Sequence, residues 1–123
     1  METTHIAPIA LAAAQAIALR ETGPRADPLS GMPVESSAPL YSDAQVDVGV
    51  WECTPGSFRA ARVGFSEVAH IVGGRGTLVS DSGEVTELVP GAVVVTPEGW
   101  TGTWTIEQTL RKLYVIWHAA QRA

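Results

Sequence analysis

The stretch that most constrains the fold of this chain lies between residues 88 and 104 and reads LVPGAVVVTPEGWTGTW. A turn at Pro90-Gly91 precedes the β-branched run from Ala92 to Thr96, which has the composition of a buried strand. Proline cannot donate to a strand ladder and glycine tolerates turn geometry, so Pro97-Glu98-Gly99 ends that strand. A second short strand is predicted from about Trp100 to Ile106. The sequence therefore predicts two short strands joined by a tight turn.

Two residue frames in the chain match the two sequence motifs of the cupin barrels. A frame of the form glycine, five residues, proline, one residue, glycine begins at Gly91. Upstream, six residues separate Glu67 from Gly74, and Gly56 stands before them. A proline-x-glycine frame alone is weak evidence, but the two frames together, in this order, are a specific signal.

Longer words around these frames narrow the resemblance. VWECTPGSF at 50–58, SEVAHIVGGRGTL at 66–78 and LRKLYVIW at 110–117 resemble the small single-domain cupins, which are RmlC-like jelly rolls. Among these they are most similar to the cupin domain of ureidoglycine aminohydrolases, the Cupin_3 or DUF861 type. The resemblance covers roughly residues 46 to 118. It implies an all-β fold, the cupin-type double-stranded β-helix or jelly-roll barrel, with an N-terminal arm.

The overall charge and the cysteine count exclude several classes of function. The 123 residues include 13 acidic and 8 basic side chains, which gives a net charge of −5, and they contain no basic run. Nucleic acid and anionic membranes are therefore not expected as partners. Cys53 is the single cysteine, which excludes a disulfide framework and fits a reducing compartment.

The apolar segment from Ile6 to Leu19 has the features of neither a membrane span nor an export signal. It contains Pro8 and is shorter than the roughly 20 residues that a membrane-spanning helix needs. A secretory signal carries positive charge before its apolar region, whereas Glu2 and neutral residues precede this one. We therefore expect a soluble, cytoplasmic protein.

The composition divides the chain into three parts. Residues 1–45 are predicted to be an N-terminal arm and loop that pack on the barrel, 46–118 the cupin core, and 119–123 a C-terminal tail. Within the arm, Ala10 to Ala18 has helix propensity, whereas the resemblance implies an extended segment, and both alternatives stay open. Six glycines and prolines between residues 22 and 43 predict a surface loop without a long regular element.

From Val46 onwards the hydrophobic residues recur at every second position, which indicates half-buried strands. Further strands are predicted near 58–63, 67–72, 76–80, 84–88, 92–96, 101–106 and 110–118. Asp81-Ser82-Gly83 predicts a hairpin turn, and the glycine-rich segment 73–76 predicts another turn. Eight short strands separated by turns indicate a sandwich or barrel, of which the resemblance selects the jelly roll.

Most of the metal ligands of a typical cupin have no counterpart here. The resemblance implies a divalent metal held by three histidines and one carboxylate, but the histidine position of the second motif is Gly102. The first-motif pair falls, depending on the alignment, on Ala61 and Val63, on Ala60 and Arg62, or on Arg62 and Gly64. Only Glu67 remains, and transition-metal sites usually need three or four ligands.

The three histidines do not replace the missing ligands. Side chains alternate along a strand, so His70 points away from the face shared by Glu67, Ala69 and Ile71. We expect His70 to be packed in the protein or at an interface, while His118 ends the last strand and His5 lies in the arm. The sequence therefore predicts neither a metal site nor another cofactor.

Two interpretations of Glu67 stay open. Trp100, Gly102 and Trp104 share one strand face, so Trp104 is expected near Glu67 if that face lines the barrel. In the first interpretation Trp104 fills the space of the absent ligands, and a basic or hydroxyl partner holds the buried carboxylate. In the second, both indoles form a wall and Glu67 binds or deprotonates a small polar ligand as a catalytic acid or base.

Four further polar side chains are candidates for ligand binding together with Glu67, Trp100 and Trp104. They are Arg59, Arg62, Lys112 and Tyr114. Arg111-Lys112 matches a basic pair of the resembling family, although each basic residue is more often a solvated surface charge. Cys53 is interpreted as a small buried apolar residue, and Trp51 and Trp117 as core or interface aromatics.

These features lead to three functional hypotheses. The first is a metal-independent cupin that binds a small polar metabolite. The second, suggested by the resemblance, is an aminohydrolase-like or isomerase-like enzyme that acts on a small nitrogenous or carbonyl metabolite through Glu67. The third is a structural or regulatory dimer with a solidly packed barrel. A homodimer is expected in any case, because four tryptophans and an apolar arm need cover.

Overall fold

The computed structural model describes residues 6–9 and 13–119, and within these residues the chain forms nine β-strands and no helix. The strands are β1 (Arg20–Pro24), β2 (Pro28–Gly31), β3 (Val34–Ser42), β4 (Val46–Cys53), β5 (Gly56–Ala61), β6 (Phe65–Ser80), β7 (Val85–Leu88), β8 (Val93–Thr96) and β9 (Thr101–His118). The all-β prediction is therefore confirmed. None of the described residues forms a helix long and apolar enough to cross a membrane.

The long strand β9 is the centre of a single curled sheet. On one edge its first half pairs with β5 and its second half with β4, while β6 runs antiparallel to it along the other edge. β1 and β3 extend the sheet beyond β4, and β2 extends it beyond β5. β7 and β8 pair with the outer edge of β6. The sheet curls into a half-barrel whose concave side holds the core.

The glycine-rich segment 73–76 is an irregularity within β6 and not the predicted turn. The register between β6 and β9 shifts three times between Ile71 and Gly76. A side chain at Gly74 would overlap the carbonyl of Thr109 on the neighbouring strand, and Gly74 has a positive φ of 83°. Glycine is needed there because the two backbones approach closely at the bend. The separate strands predicted on either side are consequently one strand.

The prediction of a surface loop between residues 22 and 43 is wrong. This segment forms β1, β2 and the nine-residue strand β3, which join the same sheet as the rest. Three of its prolines lie at the ends of strands or next to them: Pro24 ends β1, Pro28 begins β2 and Pro33 precedes β3. Pro39 lies within β3 at a register shift and beyond the residues that pair with β1. The edge of β3 toward β1 is open at this position, so a residue without an N–H is tolerated there.

Residues 13–19 make a polar contact with the outer side of the barrel. Residues 13–19 contain a single turn, and the guanidinium of Arg111 donates to the carbonyls of Ala14 and Ile17 at 3.2 and 3.0 Å. The same guanidinium pairs with Glu52 at 3.3 Å. Residues 13–18 form neither a helix nor an extended strand. Residues 10–12 of the predicted helical or extended segment, and residues 120–123 of the predicted tail, lie outside the described residues.

The predicted alternation of inward and outward side chains along the strands is confirmed. Glu67, Ala69 and Ile71 are buried on the concave face of β6, whereas His70 is half-buried on the outer face opposite Val93. The predicted turns at 81–83 and 97–99 also form, with backbone hydrogen bonds of 2.8 and 3.0 Å closing them. The side chains that reach the concave face are therefore fixed by strand parity.

Candidate functional site

The concave side of the sheet encloses a cavity of about 490 Å³. Three aromatic side chains form one wall: Phe58 and Trp104 stack with ring centroids 6.4 Å apart, and Trp51 meets both edge-on. Tyr41 and Ser42, both exposed, stand at the mouth. The barrel is thus not packed solid, which removes the premise of the third hypothesis.

A buried cluster of three charged side chains forms the floor of the cavity. The ammonium Nζ of Lys112 donates to Oε1 and Oε2 of Glu67 at 3.0 and 3.2 Å. The guanidinium of Arg62 donates through Nη2 to the same Oε1 at 3.2 Å and through Nε to Thr96 Oγ1 at 2.9 Å. The three charged side chains are only 6–10% exposed. Glu67 is therefore held by two cations, which satisfies the basic-partner interpretation.

Strand pairing explains how these residues meet. Glu67 on β6 lies opposite Ile116 on β9 and opposite Thr96 on β8. Lys112 precedes Ile116 by four positions on β9, so strand parity points both toward the concave face. Arg62 follows β5, where its backbone N–H donates to the carbonyl of Trp100 at 2.9 Å. The positions of the three charged side chains are therefore set by β6, by β9 and by the end of β5.

The surroundings of Lys112 are aromatic apart from Glu67. Its Nζ lies 4.4 Å from the ring centre of Trp51 and 4.6 Å from that of Trp104. An ammonium over the face of an indole gains cation–π energy, but loses its hydration shell. Burial lowers the pKa of Lys112 below its ordinary value of 10.5, while the charge of Glu67 opposes this effect.

A second ion pair stands beside the floor. Arg25 donates to Oε1 of Glu35 at 3.0 Å, and the same oxygen accepts a hydrogen bond from Nε1 of Trp51 at 3.0 Å. The guanidinium of Arg25 also lies over the ring of Phe58, with its Cζ 3.9 Å from the ring centre. Arg25 and Glu35 therefore hold two rings of the aromatic wall, those of Phe58 and Trp51.

Tyrosine and aspartate groups line the part of the cavity nearer its mouth. Tyr114 extends over Gly49, whose missing side chain leaves room for the phenol ring. Burial, and then the charges of Asp47 and Glu67, raise the pKa of Tyr114, so its hydroxyl stays a hydrogen-bond donor at neutral pH. Asp47 accepts from His118 Nε2 at 2.8 Å if that histidine is protonated or carries its proton there.

Five of the seven side chains predicted to bind a ligand line the cavity. They are Arg62, Glu67, Trp104, Lys112 and Tyr114. Arg59 and Trp100 do not line it. Arg59 is on the outer side and forms a double hydrogen bond with Asp81, with one distance of 2.7 Å. Trp100 lies behind Arg62, with the Arg62 Cζ 5.6 Å from its ring centre, and donates to Ser80 Oγ at 2.9 Å.

Trp100, and not Trp104, occupies the space next to Gly102, the position where the second cupin motif has its histidine. A methyl group added to Gly102 would overlap the indole of Trp100 and the carbonyl oxygen of Val79, which is 2.5 Å from the added carbon. The indole is anchored by Ser80 and the carbonyl belongs to β6, so neither moves freely.

We expect Gly102→Ala to lower the free energy of unfolding by about 1 to 3 kcal/mol, the usual effect of overpacking a filled core. Urea unfolding measures the loss. Gly83→Ala is not a suitable control because Gly83 has a positive φ. Gly73, like Gly102, has no positive φ, and a methyl group added to it would meet only the Cβ of Arg111 at 3.8 Å, so Gly73→Ala is the control. Equal effects of Gly73→Ala and Gly102→Ala would contradict this account.

The donor set does not fit the divalent metal of typical cupins. Among residues 6–9 and 13–119, no three histidine, cysteine or acidic side chains lie close enough to hold a metal ion. Both oxygens of Glu67 are engaged by Lys112 or Arg62, so a metal would have to displace an ammonium and a guanidinium from a positively charged cluster. His70 and Cys53 do not line the cavity, and burial raises the pKa of the Cys53 thiol to about 11, which disfavours the thiolate.

Several cavity residues were not predicted from the sequence. Arg25, Glu35 and Tyr41 lie in the segment interpreted as a loop, and Trp51 and Phe58 were assigned to the core or left unassigned. In β3 every second residue from position 35 to 41 lines the cavity, which is the period of a strand. These four residues are Glu35, Ser37, Pro39 and Tyr41, and they share no apolar character that would mark an inward face in the sequence.

Comparisons with known proteins agree with this architecture. The family profile described as EutQ-like cupin domain matches residues 40–114. A search of curated proteins gives no match. A crystal structure from Pseudomonas syringae pv. tomato, a protein of unknown function in the DUF861 family, is similar with a TM-score of 0.74 and 24% identity, covering 83% of this chain and 45% of that one.

Two further solved structures share the fold. The EutQ protein of Clostridium difficile has a TM-score of 0.62 and 18% identity, with 71% of this chain and 64% of that one covered. Ectoine synthase from P. lautus has a TM-score of 0.64 and 13% identity, with 71% and 66% covered. This chain thus spans about half to two thirds of their lengths. The predicted jelly-roll fold and Cupin_3 type are confirmed, while the closer likeness to ureidoglycine aminohydrolases stays a prediction.

Proposed function

We propose that this chain, which belongs to the EutQ-like cupin domain family, binds a small carboxylate metabolite in its barrel cavity without a metal ion. At the buried floor of the cavity two cations, Arg62 and Lys112, face one carboxylate, Glu67. Farther out, the half-buried Arg25 pairs with Glu35, and Asp47 contacts His118. The observation that carries the proposal is the excess of one buried positive charge at the floor. A buried charge without a partner is costly, and a carboxylate ligand would supply the partner.

The shape of the cavity supports a ligand with a short carbon skeleton. Its volume of about 490 Å³ is within the usual range for small-molecule sites, about 300 to 1,000 Å³. The wall of Trp51, Phe58 and Trp104 offers apolar contact, and the hydroxyl of Tyr114 offers a hydrogen bond toward the mouth. One end of the ligand is therefore anionic and the other is apolar or weakly polar.

The alternative function is an enzyme that uses Glu67 as an acid or a base on a small nitrogenous or carbonyl metabolite. Glu67 is placed at the floor of the cavity, as that role requires. However, Lys112 and Arg62 engage its oxygens, so a substrate proton could reach the carboxylate only after one cation moves. The binding function needs no such movement and is therefore the one we favour.

Thermal unfolding with matched ligand pairs tests the binding proposal. Lactate and pyruvate should raise the melting temperature, while lactamide and pyruvamide, which lack the charge, should not. At ten times its Kd a ligand stabilises the folded state by about 1.4 kcal/mol. Lys112→Met should remove the carboxylate effect, and Arg59→Met, which changes a cation outside the cavity, should retain it. Equal shifts with the amides, or no shift with either carboxylate, would refute the proposal.

The affinity should depend on pH through Lys112. Burial lowers the pKa of Lys112, Glu67 and Glu35 raise it, and Arg62 lowers it further. An anion favours the ammonium form, so binding takes up protons, and the affinity should fall as the pH rises from neutral toward 10.5, the ordinary pKa of lysine. Titration calorimetry of pyruvate in buffers of different ionisation enthalpy measures the proton uptake, and proton release on binding would contradict the assignment of Lys112.

We also infer that the protein is a homodimer that pairs through the outer face of β6, β8 and β9. Val93 and Val95 on β8 are 64% and 54% exposed, and they lie opposite His70 and Val68 on the same face. Val115 on β9 continues the patch. Contiguous apolar surface of this kind is typical of an interaction site.

Light scattering at micromolar concentration should therefore give twice the chain mass of 13.0 kDa. Val93→Glu should shift the protein toward the monomer, because a carboxylate would be buried at the interface. Val85→Glu is a matched control, since Val85 is also 64% exposed but lies on β7. A monomeric wild-type protein would refute the dimer.

A further inference from the structure

Lys112 is the only lysine in the chain. The other seven basic residues are arginines, so every basic charge outside the cavity is carried by a guanidinium. The single ammonium is instead 7% exposed and lies at the floor of the cavity. Arginine is usually preferred for a buried ion pair, because its guanidinium is more weakly hydrated and forms bidentate bonds with a carboxylate. A lysine at this position therefore offers something that an arginine does not, namely an amine that can lose its proton.

We propose that Lys112 is a reactive amine that forms an imine with the carbonyl group of a small oxo acid bound in the cavity. The proposal rests on the binding function above and specifies the class of ligand. Nζ of Lys112 lies at the cavity floor between Glu67 and two indole faces, and Arg62 donates to the same oxygen of Glu67 as Lys112 does.

The neighbours of Lys112 suit it to this reaction. Lysine nucleophiles are activated by an apolar environment or by a second cation nearby, and Lys112 has both, in the rings of Trp51 and Trp104 and in Arg62. Burial accordingly lowers the pKa of Lys112. Arg62 uses Nε and Nη2 for Thr96 and Glu67, and its Nη1 makes no hydrogen bond within the described residues. That group is available to hold the carboxylate of the oxo acid.

The groups present balance the reaction. Glu67 takes a proton from the Lys112 ammonium, to which it is hydrogen-bonded at 3.0 Å. The nitrogen lone pair then attacks the carbonyl carbon, the carbon–oxygen π electrons move to the oxygen, and a carbinolamine forms as the second proton passes from nitrogen to oxygen. Protonated Glu67 returns its proton to the hydroxyl, which leaves as water while the nitrogen lone pair forms the carbon–nitrogen double bond. The products are a protonated imine on Lys112, the Glu67 carboxylate and one water molecule, and no oxidant or reductant is needed.

Reductive trapping tests the proposal, and the single lysine makes the result easy to interpret. The 123-residue chain is incubated with pyruvate and sodium borohydride, and intact-mass and peptide-mapping analyses locate any reduced adduct. We expect one adduct per chain on Lys112. The α-amino group is the one other primary amine, so labelling there measures the background of unassisted imine formation.

Two controls separate chemistry from binding. Lys112→Arg keeps a cation beside Glu67 and should lose the adduct. In the wild-type protein, excess lactate, which has the carboxylate but no carbonyl, should prevent trapping without forming an adduct itself, and this arm does not depend on the folding of a variant. An adduct confined to the α-amino group refutes the imine. If lactate still raises the melting temperature, the binding proposal survives that result; if it does not, both proposals fail.

Discussion

Removing the carboxylate of Glu67 should destabilise this protein strongly. Glu67→Ala leaves the ammonium of Lys112 and the guanidinium of Arg62 buried together without the anion between them. Breaking a buried ion pair by deleting one partner typically costs about 3 to 5 kcal/mol, because the remaining charge is desolvated and uncompensated. We therefore expect a loss of this size in the free energy of unfolding, measured by urea denaturation.

Two variants show whether the loss comes from stranded charge. Glu87→Ala removes a carboxylate that is 69% exposed and 4.0 Å from Arg75, and it should change stability by less than about 1 kcal/mol. In the double variant Glu67→Ala/Lys112→Met, one of the stranded cations is gone, so part of the lost stability should return. If the double variant is as unstable as the sum of the single changes, the two residues are not coupled.

The free energy of unfolding of Glu67→Ala should also depend on pH in a direction that the pKa of Lys112 sets. The charge of Glu67 raises the pKa of Lys112, so Glu67→Ala should move that pKa further below its ordinary value of 10.5. Between the lowered folded-state pKa and 10.5, the unfolded chain binds a proton that the folded chain does not. The free energy of unfolding of the variant should consequently rise with pH in this window, relative to the wild-type protein. A fall relative to the wild type would show that Lys112 is not buried in the variant.

The sequence allowed much of this site to be predicted, because the motif frames fix the parity of the strands. Lys112 and Tyr114 were candidates as polar residues of the last strand that share one face, and the sequence left open whether that face points inward. In the structure both side chains line the cavity. The alternation in β6 placed His70 outside, and it is outside. Local pattern and fold family were sufficient for these residues because each lies in a regular strand whose register is set by its neighbours.

The remaining features depend on contacts between distant segments, which periodicity does not reveal. The prolines of β3 predicted a loop, yet Pro39 meets an open stretch of its strand edge, so tertiary pairing overrides the local signal. Trp100 shares the parity of Trp104, but its indole packs over Gly102 and against Ser80 instead of facing the cavity. Arg25 and Glu35 pair within the segment that was predicted to pack on the barrel as an arm and loop, and not to line its cavity.

The metal content of this protein should differ from that of typical cupins, which hold one divalent ion per barrel. We expect the purified protein, after tag removal and dialysis, to carry far less than one equivalent of iron, manganese, nickel or zinc by elemental analysis. Adding these ions should leave the melting temperature unchanged, because only binding to the folded state stabilises it. The reason is electrostatic and geometric: Glu67 is already held by Lys112 and Arg62, and Trp100 fills the space beside Gly102.

A matched comparison makes the metal prediction sharp. Glu67→Ala should not change the metal content, since the carboxylate holds an ammonium and a guanidinium in the wild-type protein and not a metal ion. Stoichiometric metal that survives dialysis and disappears in Glu67→Ala would overturn this account. It would require Lys112 to leave the carboxylate and at least two further ligands to reach the floor. The nearest histidine along that strand, His70, would then have to turn from the outer face, which the pairing of β6 with both β8 and β9 opposes.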